Sequence, residues 1–273
     1  PTTKALVLAR GLGTRMRRAD PGARIDSTQQ RVADAGVKGL MPVGSAQSRP
    51  FFDYIISALA DAGITDVCLV IGPEHQHIRD YVAALELTRV RIHFAIQEEP
   101  LGTADAVLAG ESFAAGESVL VVNSDNYYPV HTLRDLQQLG AAGVAAFERE
   151  ALVRLGNVDA ERVAKYAIID IDERGFLKQI IEKPNAETLA ALGPEVLVGM
   201  NSWSLPPEIY DACRRIEPSA RGELELPNAV QYARDVLRVP FRVLAFRAGV
   251  IDLSSRADID SVVTMLHDVE PRL

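Results

Sequence analysis

Apolar runs of strand length alternate with stretches of helical period through the first half of the chain, and this alternation restricts the fold more than any other feature. KALVLA (4–9), DVCLVIG (66–72), RIHFAI (91–96), SVLVVNSD (118–125) and GVAAFE (143–148) read as strands. Helices are expected near 50–62, 74–85, 102–110 and 131–139, with Gly63 as a helix stop. The pattern predicts an α/β fold with a mostly parallel sheet flanked by helices. After residue 150 it changes. YAIIDID and FLKQIIEKP flank ERG as a hairpin would, followed by a strand near 196–204, two helices, the strand FRVLAF and a terminal helix. No internal repeat or linker separates the halves, so residues 1–273 are expected to form one domain of two lobes, about 1–148 and about 149–273.

Net charge restricts the partners. At −8 the chain is a poor match for a general nucleic-acid or anionic-membrane surface, so basic clusters within it are local features. Its two cysteines, Cys68 in an apolar run and Cys213 in a helix-like stretch, suit packing in a reducing compartment rather than a disulfide framework. The sequence shows no apolar span of membrane length and no signal-peptide start, which predicts a cytoplasmic protein.

Against that acidic background the segment LARGLGTRMRR (8–18) stands out. A glycine-rich turn after a first strand presents backbone N–H groups as an anion cradle, and phosphate is the natural guest. The segment is not a Walker A loop, and Met16 occupies the third glycine position of a dinucleotide fingerprint.

Further segments, in order along the chain, resemble the sugar-1-phosphate nucleotidylyltransferases, the family of glucose-1-phosphate thymidylyl- and uridylyltransferases. LARGLGTRM is similar to the signature L-A-x-G-x-G-T-R, KGLMPV to K-x-L-x-P-V and QEEPLGTADAV to the base-binding Q-x-x-P-x-G-x-A. VVNSDN resembles the metal-binding aspartate segment, IIEKP the E-K-P motif, SARGELEL the sugar-lobe R-G-E-x-E and VIDLSSRADI the late D-x-G-T-x-x-x-L. The resemblance implies a Rossmann-like nucleotidyltransferase fold with an added β-rich sugar lobe. It also implies the reaction: a sugar-1-phosphate oxygen attacks the α-phosphorus of a nucleoside triphosphate, releasing pyrophosphate and an NDP-sugar. A phosphate monoester is already mostly dianionic near neutral pH, so positioning and charge neutralisation suffice without a general base.

By the same resemblance Arg15 would hold the β- and γ-phosphates, Lys38 would grip the triphosphate, and Lys183 would sit between the reacting phosphates. Leu8, Ala9, Gly11, Gly13 and Thr14 would cradle the nucleotide, the two glycines letting backbone approach phosphate. Gln97, Pro100, Gly102 and Thr103 would hold the base. Tyr166, Glu182, Asn201 and Glu223 would contact the sugar, and Asp125 and Asp252 would hold Mg²⁺. An amide at Gln97 matches the edge of uracil or thymine, which predicts UTP or dTTP. The family also implies a homo-oligomer whose partners are an NTP and a sugar-1-phosphate.

Three departures qualify the match. Arg10 replaces a usual small residue, Ala167 stands where glycine is common, and residues 16–37 are longer than in simpler members. Arg17, Arg18, Arg24 and Arg31 in that stretch suggest either a lid closing over triphosphate or a mobile insert. Trp203 reads as core rather than as part of a hexose pocket, and His75 with His77 does not read as a metal site. Two other functions stay open on the sequence alone: a non-catalytic nucleotide-binding relative with a regulatory role, and a cytidylyltransferase acting on a non-sugar phosphate.

Overall fold

The computed structural model describes residues 1–45, 49–182, 184–185, 187–189 and 196–273. In chain order its strands are β1 (Lys4–Leu8), β2 (Pro42–Val43), β3 (Arg49–Pro50), β4 (Asp66–Ile71), β5 (Arg91–Ile96), β6 (Val119–Asn123), β7 (Asn126–Tyr127), β8 (Gly143–Glu148), β9 (Ile168–Ile171), β10 (Leu177–Ile181), β11 (Leu197–Leu205), β12 (Arg242–Phe246) and β13 (Ile251–Asp252). Nine of them form one sheet. β1 lies at its centre, parallel to β4 on one side and to β6 on the other, and β5 continues parallel beyond β4. β11 runs antiparallel to β6, β8 and β9, while β12 runs parallel to β8 and β10 antiparallel to β9.

Side-chain alternation along these strands builds a core on each face of the sheet. Ala5 and Val7 of β1 join one core with the helix Phe51–Asp61. Leu6 and Leu8 join the other, with the helices Thr103–Ala109, Glu208–Arg215 and Leu226–Asp235. Cys68 and Cys213 are free thiols buried in this second core, and burial pushes each thiol up to about 12. Trp203 is 1% exposed in the same core, as its sequence context predicts.

RIHFAI and GVAAFE match β5 and β8 residue for residue. Gly63, with φ 100°, follows the helix that ends at Asp61, and the hairpin around ERG is β9–β10 with Gly175 in its turn at φ 80°. Periodicity missed the short elements. Among these are the helices Thr14–Arg17, Ser27–Ala35, Glu111–Ala114, Arg149–Leu155 and Ala160–Val163 and the two-stranded ribbons β2–β3 and β7–β13.

Two features of the sheet create space for a ligand. The chain crosses from one side of β1 to the other between β5 and β6, so the carboxyl ends of β1 and β6 flank a topological switch point, the usual crevice of an open α/β sheet. The second feature is a fork in β11. Its carboxyl half pairs with β6 through Trp203–Leu205, and its amino half pairs with β9 at Val198. Between them the register against β8 shifts, and Asn201 adopts φ 56°. Tyr128, buried beneath, donates its hydroxyl to the Met200 carbonyl at 2.5 Å and fixes the fork.

Candidate active site

The switch point opens into a cavity of about 410 Å³. Leu8 and Ala9 at the end of β1, then Gly11 and Thr14, form one wall, and Gln97, Pro100, Gly102 and Thr103 form another. Lys38, Asn123 and Asp125 also line it. A smaller cavity of about 110 Å³ shares Asn123 and Asp125 with the first and is lined also by Arg15, Tyr166, Asn201 and Asp252. The two spaces therefore meet at the carboxyl end of β6.

The ribbon β7–β13 brings the aspartates to this junction. Asp252 stands opposite Asn126, and the Leu253 amide donates to the Asp125 carbonyl at 2.8 Å. Asp252 is 6% exposed. Burial pushes its carboxyl above the ordinary range, the nearby charge of Asp125 adds to that, and a hydrogen bond involving Ser254 and the charge of Arg162 act in the opposite direction. Arg162 donates to Asp252 Oδ1 at 2.8 Å and to Asp258 at 2.5 Å. Burial works against its charge, but Asp258 and Asp252 outweigh that and keep its pKa above the ordinary value. Asp252 Oδ2 faces Asn126 Nδ2 at 3.2 Å and the Tyr166 hydroxyl at 3.3 Å. Lys38 donates to Asp125 Oδ2 at 2.8 Å.

These residues suit a hard divalent cation. Two carboxylates face one cavity, and the charge of one raises the pKa of the other, a repulsion that a cation between them would relieve. Mg²⁺ takes few carboxylates together with phosphate oxygens and water. Among the described residues no group of three or more His, Cys, Asp or Glu side chains is placed to hold a metal, so a cation here would need phosphate oxygens to complete its shell.

Not every expected residue lines these cavities or lies where its motif implies. Glu223 lines the larger cavity, with Pro100 and Gly102, and not the smaller one. The cause is backbone pairing: Leu224 N–H donates to the Leu101 carbonyl at 2.7 Å and the Ala104 N–H to the Leu224 carbonyl at 2.8 Å, which clamps SARGELEL onto PLGT. At Gly102, φ 124°, a Cβ would sit 2.4 Å from the Leu224 carbonyl oxygen, so this glycine is required by the clamp. Glu182, exposed just after β10, lines neither cavity. Gly13 does not line the cleft either. With φ 62° it is buried against Gly36, where a Cβ would come within 2.3 Å of the carbonyl oxygen, whereas a Cβ at Gly11 would meet no protein atom. Lys183 lies outside the described residues.

The stretch 16–37 reaches the larger cavity at its end, where Gly36 and Val37 line it. It carries the helix Ser27–Ala35, started by a reciprocal cap between Asp26 and Gln29 and ended by Gly36 at φ 74°. Arg17 donates to the Ala35 carbonyl and Arg31 to Thr28, and none of the four arginines lines either cavity. The segment is fastened by Arg256, whose side chain is 3% exposed and donates to the carbonyls of Met16 at 2.8 Å and Arg17 at 3.0 Å and to Asp34 at 2.6 Å. Arg10 lines the larger cavity, and its guanidinium pairs with Glu74, 3.2 Å away. His75 accepts the Gly72 N–H through Nδ1 at 3.1 Å and meets the His77 ring edge-on. Arg162 lies in no quoted motif, and Asn126 and Arg256, though inside VVNSDN and VIDLSSRADI, were not singled out, since their partners are distant in sequence.

The nucleotidyl transferase family model matches residues 32–241. A glucose-1-phosphate thymidylyltransferase of Streptomyces antibioticus is 29% identical over 271 residues, covering 99% of this chain and 68% of that protein. A UTP–glucose-1-phosphate uridylyltransferase of Bacillus subtilis (strain 168) is 27% identical over 263 residues, covering 86% of this chain and 82% of that protein. A low-salt glycan biosynthesis nucleotidyltransferase of Haloferax volcanii is 27% identical over 233 residues, covering 84% of this chain, and the chain spans 56% of its length. In fold, the chain superposes on a UDP-glucose pyrophosphorylase crystallised with UDP-glucose at a TM-score of 0.73, with 20% identity and 97% of each chain covered. The chain belongs to the nucleotidyl transferase family.

Proposed function

We propose that the chain transfers a nucleoside monophosphate from UTP or dTTP to a sugar-1-phosphate, forming an NDP-sugar and pyrophosphate with Mg²⁺ as cofactor. The observation that carries this reading is the meeting of two cavities at Asn123 and Asp125, one with an amide at its far end and the other with Tyr166, Asn201 and Asp252. A nucleotide in the first and a sugar phosphate in the second would bring their phosphates together at that junction. The names of the relatives point to the same reaction class.

In this reading Lys38 neutralises phosphate charge from the larger cavity, and Arg15, which its motif sets on the β- and γ-phosphates, does so from the smaller cavity that it lines. Asp125 and Asp252 would hold Mg²⁺, which when bound withdraws charge from the phosphate oxygens. Arg162 holds Asp252 in place, and Tyr166 orients its second oxygen. The polar groups of Asn201 and Tyr166 are available to sugar hydroxyls. Lys183 keeps the role that its E-K-P motif implies, at the reacting phosphates. Residues up to about 148 would form the nucleotide lobe and the remainder the sugar lobe. Incubation of the chain with each nucleoside triphosphate and a panel of sugar-1-phosphates tests the proposal. Pyrophosphate release that needs both substrates supports it, and release with phosphocholine but with no sugar-1-phosphate overturns it.

A further inference from the structure

Gln97 ends β5 with 4% of its surface exposed and lines the larger cavity. Its side-chain nitrogen donates to the Gly102 carbonyl at 3.0 Å and to Asp105 Oδ2 at 2.8 Å. Both partners are acceptors, so the atom between them must be the nitrogen, and its two hydrogens are both engaged. The amide oxygen is left over. Among the described residues it has no hydrogen-bond partner.

We infer that Asp105 sets the nucleobase preference by holding Gln97 with its carbonyl oxygen free for the base. An acceptor at that point recognises a ring N–H, which uracil and thymine carry at N3 and guanine at N1. Cytosine at N3 and adenine at N1 offer a lone pair instead. To serve them the Gln97 amide must turn over, which would set its oxygen against the Gly102 carbonyl and the Asp105 carboxylate with no hydrogen between them. In a nearly buried site that arrangement is strongly disfavoured. Asp105 is a positioning residue, acting on the base only through Gln97. The inference rests on the nucleotidyl-transfer reading for the presence of a base beside Gln97, and it replaces a loose amide match with an oriented one.

The test is equilibrium binding of UTP, dTTP, CTP, GTP and ATP to the whole chain, wild type and two variants, with thermal unfolding as a check on folding. Wild type is expected to bind UTP over CTP by at least about tenfold, close to 1.4 kcal/mol. Asp105→Ala removes one of the two acceptors that lock the amide, and the UTP-to-CTP ratio is expected to fall by roughly fivefold or more. Asp105→Asn nearly keeps the volume but can turn its NH2 towards Gln97 and support either amide orientation, so the ratio is expected to fall here too, by about threefold or more. A merely structural role would weaken UTP and CTP by the same factor. An unchanged ratio in Asp105→Ala, or a wild-type preference for CTP, overturns the inference, and the wild-type arm holds whether or not the variants fold. Failure of every triphosphate to bind would instead overturn the nucleotide-site reading, and the inference with it.

Discussion

The Leu253 N–H donates to the Asp125 carbonyl at 2.8 Å, and this bond sets two acidic strand ends, one from each half of the chain, on a single cavity. Neither Asp125 nor Asp252 is unusual in its own segment. Their proximity matters: the charge of Asp125 adds to burial in raising the pKa of Asp252, while Lys38 pairs with Asp125 and Arg162 with Asp252.

Asp125→Asn removes one of those charges while nearly preserving volume. Turnover should fall on the order of a hundredfold or more, the size typical of a major electrostatic catalytic group. The Lys38 contact survives as a weaker neutral bond, so thermal unfolding should stay close to wild type. A folded variant with near-wild-type kcat would remove Asp125 from the reaction.

Chelation of divalent cations should abolish turnover, and added Mg²⁺ should restore it. Mg²⁺ alone, without nucleotide, should leave the unfolding midpoint unchanged, because two carboxylates without phosphate oxygens make an incomplete shell. Full activity in excess chelator contradicts the role given to the aspartates.

Arg256→Met removes the buried fastening of residues 16–37 and leaves the carbonyls of Met16 and Arg17 without their donor. Stability should fall by roughly 3 kcal/mol, as for loss of buried bonds from a charged donor. Arg15 precedes both carbonyls on the short helix Thr14–Arg17, so kcat should fall as well under conditions where the variant is folded. Urea unfolding and steady-state kinetics read the two effects separately. A stable variant with normal kcat would show that the fastening does not position Arg15.

Glu223→Ala distinguishes the two cavities. Since Glu223 lines the larger one beside Gln97 and Pro100, KM for the nucleotide should change severalfold while KM for the sugar-1-phosphate stays nearly constant. The opposite split would return Glu223 to the sugar.

The main strands and long helices were legible because apolar periodicity reports burial directly, and RIHFAI and GVAAFE gave their bounds to the residue. Most of the cleft was legible too, since its walls come from contiguous motifs at strand ends. What escaped were relationships between distant segments. The two-residue strands of β7–β13 have no period to detect, yet they bring Asp252 to Asp125. SARGELEL matched a sugar-lobe motif, but its backbone hydrogen bonds tie it to Leu101 and Ala104 of QEEPLGTADAV. Arg162 and Arg256 look like ordinary helix and turn arginines until their buried carboxylate and carbonyl partners are in view.

Pyrophosphate release in the presence of Mg²⁺, UTP or dTTP and a sugar-1-phosphate tests the central claim most directly, with mass spectrometry to identify the second product. The account predicts release only when both substrates are present, a stoichiometric NDP-sugar, and loss of both products in Asp125→Asn. Nucleotide binding with no pyrophosphate from any sugar-1-phosphate would contradict it and leave a protein that holds a nucleotide without transferring it.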